Sequence, residues 1–274
     1  MYYERHDVRQ AIMDYANANG STGGRECAFY NARAKSIQRY IEDGGSQVPI
    51  SLTTPAGLNK ALNSGASAFY CSYWRQQWDD PAHPMGRDLV WTTRARQGGL
   101  KFAKEVTAWT TRALEEAGIS KPWVKYSGEL GFDLVIPLEA IPCESLNGGI
   151  ESLRDLQEGL TSYIVSYIRD WFPDVLVDGA SSSIEIKREK ETCLLSELRA
   201  RRGLLLAPMS LSPQTGLVSV TVDPRQVERF SVYDASPEDA RGVDWKPPAD
   251  VANNLIRSVQ PIYSALAEKR QAET

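Results

Sequence analysis

The spacing of apolar side chains alternates between helical and extended periods along the chain. Apolar residues that recur every three or four positions predict amphipathic helices, whereas short apolar runs and alternation predict strands. Helices are predicted over residues 2–18, 36–43, 54–64, 100–118, 150–172 and 251–267. Strands are predicted over residues 25–30, 67–73, 88–95, 123–127, 132–137 and 216–222. Glycine- and proline-rich segments at 20–24 and 79–86 are predicted to be loops.

The middle of the chain has the most regular order of elements. From residue 88 to residue 172 it reads strand, helix, strand, tight glycine turn, strand, helix. This order is typical of a sheet with helices on one face, as in an RRM-like βαββαβ unit. The N-terminal segment adds helices and strands of its own, so the sequence predicts an α+β fold. We expect a single domain, 1–274, with an N-terminal α/β unit (1–87), an RRM-like core (88–235) and a helical tail (236–274).

Composition and charge limit the classes of protein, and the cellular locations, that fit the chain. The 274 residues carry a formal net charge of −4, which does not indicate the basic surface of many nucleic-acid-binding proteins but leaves room for a local groove. No apolar run is long enough to cross a bilayer, and the N-terminal residues lack a signal-peptide pattern. The four cysteines form no CxxC motif, so we interpret them as reduced, buried thiols. A cytoplasmic location without membrane contact is expected.

Four short segments, taken in their order along the chain, carry a resemblance to a known family. They are AFYCSYW at 68–74, DLVWTTR at 88–94, YSGELGFDLVIP at 126–137 and LLLAPMSLSPQTGLVSV at 204–220. Together they resemble the small, catalytic subunit of archaeo-eukaryotic primases, whose last three segments read DLVFD-x-D, SG-x-x-GFH-x-x-IP and RLPGSLH-x-KTGL. The resemblance covers nearly the whole chain and implies the primase fold around one cleft. The zinc-binding insertion of many primases is not expected, because no Cys or His lies between Ala95 and Tyr126.

The resemblance implies a reaction for which this chain lacks the side chains. Family members place two Asp at alternate positions of one strand and a third on a later strand, and these carboxylates hold two divalent ions for nucleotidyl transfer. The matching positions here are Thr92, Arg94 and, by the spacing back from Pro208, Ala200. Three negative charges are thereby replaced by one positive charge, which repels a metal ion. No metal and no cofactor are therefore expected.

The segments that would hold the nucleotide keep their glycines but lose their charged side chains. Asp133 stands where the family has a His, and Ser212 and Gln214 stand where it has a His and a Lys. We interpret the remainder as a vestigial nucleotide pocket of Lys125, Ser127, Gly128, Gly131, Ser210, Ser212 and Gln214. Because Arg94 and Asp133 fall on neighbouring predicted strands, we expect them to form an ion pair in the space of the missing metals.

Cationic and aromatic side chains outside these motifs are candidates for contact with nucleic acid. Basic and acidic residues interleave over 187–202, which is typical either of a solvated surface or of a phosphate-binding surface. The candidate phosphate contacts are Arg188, Lys190, Arg201 and Arg202. Tyr70, Trp74 and Trp78 are candidates for base stacking, with packing in the core as the alternative for Tyr70.

These observations predict a catalytically inactive, primase-like protein. Its partner would be single-stranded or primed DNA, or a replication or repair protein. One alternative is an active primase or polymerase that uses Mg²⁺ or Mn²⁺ on relocated carboxylates, with Asp79, Asp80, Asp88 and Glu185 as candidates. A second alternative is a structural subunit that docks on an active primase without touching nucleic acid.

Overall fold

Two antiparallel β-sheets organise the chain. The computed structural model describes residues 2–18, 24–76, 83–119, 122–141, 150–180 and 182–241. The predicted helix 251–267 and most of the predicted tail lie outside the described residues, as do residues 79–82 of the predicted loop 79–86. Within them the structure has a mixed α+β fold, as predicted.

The strands and helices of the described residues follow one another in this order. The strands are β1 (Gly24–Asn31), β2 (Ser36–Gln38), β3 (Tyr40–Asp43), β4 (Ser46–Pro49), β5 (Ala66–Gln76), β6 (Gly86–Arg87), β7 (Leu89–Gln97), β8 (Trp123–Tyr126), β9 (Gly131–Ile136), β10 (Leu176–Ala180), β11 (Ser183–Arg188), β12 (Glu191–Leu198), β13 (Leu204–Leu206) and β14 (Thr221–Val222). The α-helices are α1 (His6–Ala16), α2 (Pro55–Asn63), α3 (Gly99–Glu116) and α4 (Ile150–Trp171). Short 3₁₀ turns cover Tyr2–Glu4, Leu138–Ala140, Pro224–Arg229 and Val232–Ala235.

The first sheet is formed mainly by the N-terminal part of the chain. Its strands lie in the order β13-β5-β1-β2, and β6 pairs with β5. Strands β3 and β4 form a separate hairpin. Strand β13 joins this sheet from beyond residue 88, so the N-terminal unit and the core that the sequence predicts are interleaved rather than consecutive.

The second sheet has seven strands in the order β10-β11-β12-β7-β9-β8-β14, all antiparallel to their neighbours. Helices α3 and α4 pack against one of its faces. On β7 the indole nitrogen of Trp91 donates to Thr161 of α4 at 2.8 Å, and the hydroxyls of Thr93 and Thr107 of α3 lie 2.6 Å apart. Because strand side chains alternate, Thr92 and Arg94 lie on the face opposite these helices.

Most predicted elements are present, with shifted ends. The predicted helix over 36–43 is wrong, because this segment forms β2 and β3. Strand β2 pairs with β1, and β3 turns into β4 at Gly44 and Gly45, both with positive φ. The predicted strand over 216–222 is confirmed only at Thr221–Val222, with one further bridge between Leu211 and Val218.

Besides β2 and β3, six strands were not predicted: the short β4, β6 and β13 and the longer β10, β11 and β12. Residues 176–198, interpreted in part as a charged surface stretch, form β10, β11 and β12. The alternation that marks them is present in the sequence: Ile184 and Ile186 on β11, and Cys193 and Leu195 on β12, are buried between more exposed neighbours. On β11 the alternate positions hold the charged Glu185 and Lys187, whereas on β12 the apolar Leu194 and Leu198 on the opposite face obscure the period of two.

A charged cluster joins the two sheets. Asp88, fully buried before β7, pairs with Arg25 of β1 at 2.7 Å and with Arg75 of β5 at 2.9 Å. Arg75 also pairs with Glu139 at 2.8 Å. We call these four residues the junction cluster. Around it, buried apolar residues of both sheets form one continuous cluster.

Two further expectations concern cysteines and membranes. Cys27, Cys71 and Cys193 are buried free thiols, as predicted, whereas Cys143 lies outside the described residues. No helix within the described ranges is long and apolar enough to cross a membrane.

Candidate functional site

Three neighbouring strands bring two cations to one carboxylate on the face opposite the helices. In the sheet register, Asp133 of β9 lies between Thr92 of β7 and Lys125 of β8. Arg94 Nη2 donates to one carboxylate oxygen of Asp133, and Lys125 Nζ donates to the other. The ion pair predicted between Arg94 and Asp133 is thus present, and Lys125 is a second partner that the sequence analysis missed. We call Arg94, Lys125 and Asp133 the Asp133 triad.

Burial makes this triad electrostatically strong. The side chains of Lys125 and Asp133 are 0% and 2% exposed, whereas that of Arg94 is 31% exposed. Burial alone would raise the pKa of Asp133, but Lys125 and Arg94 lower it to about 2. Burial lowers the pKa of Lys125, and Asp133 opposes that shift. The carboxylate is therefore held ionised by two cations and is not available as a metal ligand.

Further hydrogen bonds fix both cations in place. Arg94 Nη1 donates to the carbonyl oxygens of Thr93 and Phe132 at 2.9 and 2.6 Å. Lys125 Nζ also donates to the Ser219 hydroxyl at 3.1 Å. The cations thus point into the protein rather than towards an incoming phosphate.

The positions that match the three metal ligands do not all lie together. Thr92 and Arg94 share a face of β7, as predicted. Ala200, by contrast, lies beyond the end of β12, where its carbonyl accepts hydrogen bonds from Tyr73 and Trp74 at 2.8 and 3.0 Å. Ala200 therefore does not lie on a strand beside Thr92 and Arg94, and its assignment as the third position stays a prediction. The strand residue paired with Thr92 is Ser196, which also lacks a carboxylate.

Two loops of the predicted vestigial pocket come into contact beside this face. The Thr215 hydroxyl donates to the Gly128 carbonyl. Gly128 has a φ of +81°, and a Cβ added there would lie 2.9 Å from Cβ of Ser212, so both the turn and the close approach require glycine. Gly131 is also required, because a Cβ there would lie 1.8 Å from the Thr93 carbonyl oxygen of the neighbouring strand.

The polar groups of this pocket are mostly satisfied by the protein. Ser210 is fully buried, and its hydroxyl accepts from the Phe69 backbone N–H at 2.7 Å. Ser212 donates within the loops, to Gln214 at 3.1 Å and to Glu129 at 3.3 Å. Ser127 accepts from the Glu129 backbone N–H at 3.3 Å. Lys125 and Ser210 therefore cannot contact a ligand in this conformation, whereas Gln214 is exposed.

The sequence analysis missed Glu129 between the two glycines of the third segment. It is exposed, lies within hydrogen-bond distance of Ser212, and with burial helps to raise the pKa of Tyr70 to about 12. A carboxylate at this position opposes the binding of a triphosphate, since the two negative charges repel.

The carboxylates considered for a relocated metal site are engaged elsewhere or lie apart. Asp88 is buried between the arginines of the junction cluster. Glu185 of β11 pairs with Lys187. Asp79 and Asp80 lie outside the described residues. Among the described residues, no group of three His, Cys, Asp or Glu side chains is placed to hold a metal ion.

The candidate nucleic-acid contacts separate into different regions. Arg188 lies on the helix side of the second sheet, where it pairs with Glu105 and Glu191, each at 2.7 Å. Lys190 is exposed in the turn between β11 and β12. Arg201 and Arg202 are exposed in the loop after β12, and Arg202 pairs with Glu26 of β1 at 3.0 Å. These four cations therefore do not form one basic surface.

The aromatic candidates also separate. Trp74 is 6% exposed, and its indole nitrogen donates to the Ala200 carbonyl, so it packs in the core rather than stacking on a base. Tyr70 is partly buried beside Glu129. Trp78 lies outside the described residues.

Comparisons with known proteins give likenesses to solved structures and no sequence match. No family model matches the sequence, and no curated protein matches it. Among solved structures, the chain is similar to the polymerase domain of Mycobacterium tuberculosis ligase D in complex with DNA, with 14% sequence identity and a TM-score of 0.49. The similarity covers 97% of this chain and 91% of that one.

Proposed function

We propose that this protein is a primase-like nucleic-acid-binding protein that does not carry out metal-dependent nucleotidyl transfer. The observation that carries the proposal is the Asp133 triad. The motif resemblance expects metal-binding carboxylates at Thr92 and Arg94. Arg94 belongs to the triad and Thr92 lies beside it, so this place holds two cations and a neutralised carboxylate instead.

The strand order of the second sheet supports the primase-like part of the proposal. Strands β12, β7, β9 and β8 are adjacent and antiparallel. Helix α3 connects β7 to β8, and helix α4 connects β9 to the strands that follow. This is the order 4-1-3-2 of an RRM-like βαββαβ unit, with the hairpin β10–β11 inserted before the last strand. Three of the four motif segments that resemble primases include residues of β5, of β7, and of β8 and β9, and the fourth begins on β13.

The chemistry of the site supports binding rather than catalysis. Two-metal nucleotidyl transfer needs carboxylate oxygens that can bind Mg²⁺ or Mn²⁺ directly. Thr92 and Ser196 offer only hydroxyls, and both oxygens of Asp133 already accept from cations. A divalent ion would have to displace buried Lys125, which leaves an unpaired charge in the protein interior.

The test compares nucleotide incorporation and template binding in one preparation. Primer synthesis and extension are measured on a single-stranded template with Mg²⁺ or Mn²⁺, with an active primase as positive control. Binding of the same fluorescently labelled template is measured by anisotropy between 50 and 200 mM salt. We expect no incorporation and a binding constant that falls with salt, because contacts to phosphates release counterions.

A variant at the rim of the pocket sharpens this test. Gln214 is exposed, so Gln214→Glu adds a negative charge without disturbing the core. We expect it to weaken template binding by roughly 3- to 10-fold at low salt, since it repels the phosphate backbone. Gln226→Glu, at an exposed position in the Pro224–Arg229 turn, is the matched control and should leave binding unchanged.

Two results would overturn the proposal. Template-dependent incorporation that survives repurification would mean that metal ligands exist elsewhere, and Asp79 and Asp80 would then be the first positions to replace. Failure of the wild-type protein to bind any template at low salt would favour a structural subunit that docks on another protein.

A further inference from the structure

A surface groove lies beside the N-terminal sheet, formed by strands β2, β3 and β4 together with the loop after β12. Its volume is about 640 Å³. The side chains that matter for the argument are Gln38, Arg39, Tyr40, Gln47 and Arg202. None of the positions that the motif resemblance assigns to metal or nucleotide lines this groove.

Two arginines of the groove are held side by side by one carboxylate. Arg39 and Arg202 pair with the same oxygen of Glu26, at 2.8 and 3.0 Å. Arg39 also donates to the Arg202 carbonyl at 2.7 Å. Their orientation is thus fixed before any ligand arrives, which reduces the entropy lost on binding. One carboxylate for two guanidinium groups leaves a net positive charge.

Neighbouring residues add to this charge. Arg33 and Lys35 are exposed in the turn that leads into β2, and exposed Arg201 precedes Arg202. On the tip of the β3–β4 hairpin, Asp43 is neutralised by Lys60 at 2.7 Å. The lining of the groove itself holds two cations, Arg39 and Arg202, and the carboxylate of Glu42, whereas Arg33, Lys35 and Arg201 lie near these residues in the sequence.

An exposed aromatic ring lies next to the paired arginines. Tyr40 is 47% exposed, and its hydroxyl lies beside the Arg202 guanidinium. Gln38 and Gln47 contribute amide groups that can both donate and accept hydrogen bonds. Within one groove, the ring face can stack on a base, the paired cations can contact a phosphate, and the amides can hydrogen-bond to the edge of a base.

We propose that this groove binds single-stranded nucleic acid, with phosphates at Arg39 and Arg202 and a base stacked on Tyr40. The proposal rests on the proposed function and adds a location to it, away from the Asp133 triad. Proteins that bind single strands combine cationic grooves with aromatic platforms in this way, and their sequence preference is weak. A volume of about 640 Å³ suits one or two nucleotides rather than a duplex.

The test measures binding of a labelled oligothymidylate by anisotropy over a range of salt concentrations. Tyr40→Ala removes the stacking ring and should weaken binding by roughly 5- to 100-fold. Arg202→Gln removes one phosphate contact and should reduce the slope of log K against log salt by about 0.7. Tyr233→Ala and Arg112→Gln are matched controls, because Tyr233 is 83% exposed and Arg112 forms an exposed pair with Glu228. Thermal unfolding verifies that each variant folds.

The outcomes separate this inference from the proposed function. If Tyr40→Ala and Arg202→Gln bind like wild type while Gln214→Glu binds more weakly, the groove assignment is wrong and the proposed function stands. If both groove variants weaken binding and the wild type incorporates nucleotides, the groove is upheld and the inactive assignment is wrong. A third outcome is that an acidic peptide binds with an affinity that depends on Tyr40, whereas the oligonucleotide does not. The groove would then bind protein, and the inference is overturned.

Discussion

Asp88 and Asp133 are two buried carboxylates that each meet two cations, yet their surroundings differ. Both partners of Asp88, Arg25 and Arg75, have side chains no more than 2% exposed and come from the other sheet. The partners of Asp133 come from its own sheet, and one of them, Arg94, is 31% exposed. The first carboxylate joins two sheets, whereas the second neutralises charge within one face.

Both carboxylates form ion pairs with two cations, but Asp88 connects parts of the scaffold, whereas Asp133 belongs to the candidate site. The Asp88 carboxylate also accepts from the Leu138 backbone N–H at 3.0 Å, so it fixes three separate segments of the chain. The Asp133 carboxylate fixes only adjacent strands that already pair through their backbones. Loss of Asp88 should therefore affect the whole fold, and loss of Asp133 should affect mainly its surroundings.

The largest expected effect is that of Asp88→Asn. The change leaves Arg25 buried without a counter-charge and leaves Arg75 with Glu139 alone, so we expect the free energy of unfolding to fall by about 3–5 kcal/mol. Urea denaturation followed by circular dichroism measures this loss. Asp7→Asn is the matched control, because Asp7 forms an exposed pair with Arg5 and should cost at most about 1 kcal/mol. A loss below 1 kcal/mol for Asp88→Asn would show that the junction cluster does not hold the sheets together.

A smaller effect is expected for Asp133→Asn. Lys125 loses its partner, but it can release its proton and Arg94 can be hydrated, so the loss should be about 2–3 kcal/mol. The same denaturation experiment measures it. If the loss equals or exceeds that of Asp88→Asn, the distinction between a scaffold carboxylate and a site carboxylate is wrong.

The acid sensitivity of the fold provides a related test. The pKa of Asp133 is lowered from its ordinary value of 3.8 to about 2 in the folded protein. Because the folded pKa is depressed, this stabilisation is present above about pH 4 and is lost as the pH falls from about 4 to 2. The advantage of wild type over Asp133→Asn should therefore shrink by about 2 kcal/mol across this interval. An advantage that is constant with pH would contradict the assignment.

Much of the fold could be predicted from the sequence, but the pairing of its parts could not. Periods of 3.6 and 2 locate α3, α4, β7 and β9, because their apolar faces are wide. The period of β11 is masked by charged residues on its more exposed face, and that of β12 by leucines there, whereas β2 was mistaken for a helix because it is only three residues long.

The candidate site was predictable to the extent that it depends on strand alternation. The positions of Arg94 and Asp133 on adjacent strands follow from the motif segments, and so does their ion pair. Lys125 was assigned to the pocket without its partner, because strand register across β8 and β9 cannot be read from one sequence. Of the groove at Tyr40 only Arg202 was foreseen, as a candidate phosphate contact, since Glu26, Arg39 and Arg202 meet only through the fold.

The smallest expected effect belongs to the half-exposed member of the triad. Arg94→Met keeps the length of the side chain while Lys125 continues to neutralise Asp133, so we expect a loss of about 1 kcal/mol in the free energy of unfolding. Arg112→Met, in an exposed pair with Glu228, controls for the loss of a surface arginine and should be close to neutral. A loss for Arg94→Met as large as that for Asp133→Asn would mean that Arg94, rather than buried Lys125, is the partner that holds the carboxylate ionised. The Asp133 triad would then resemble the junction cluster, in which each arginine is indispensable, and the contrast between the two carboxylates would disappear.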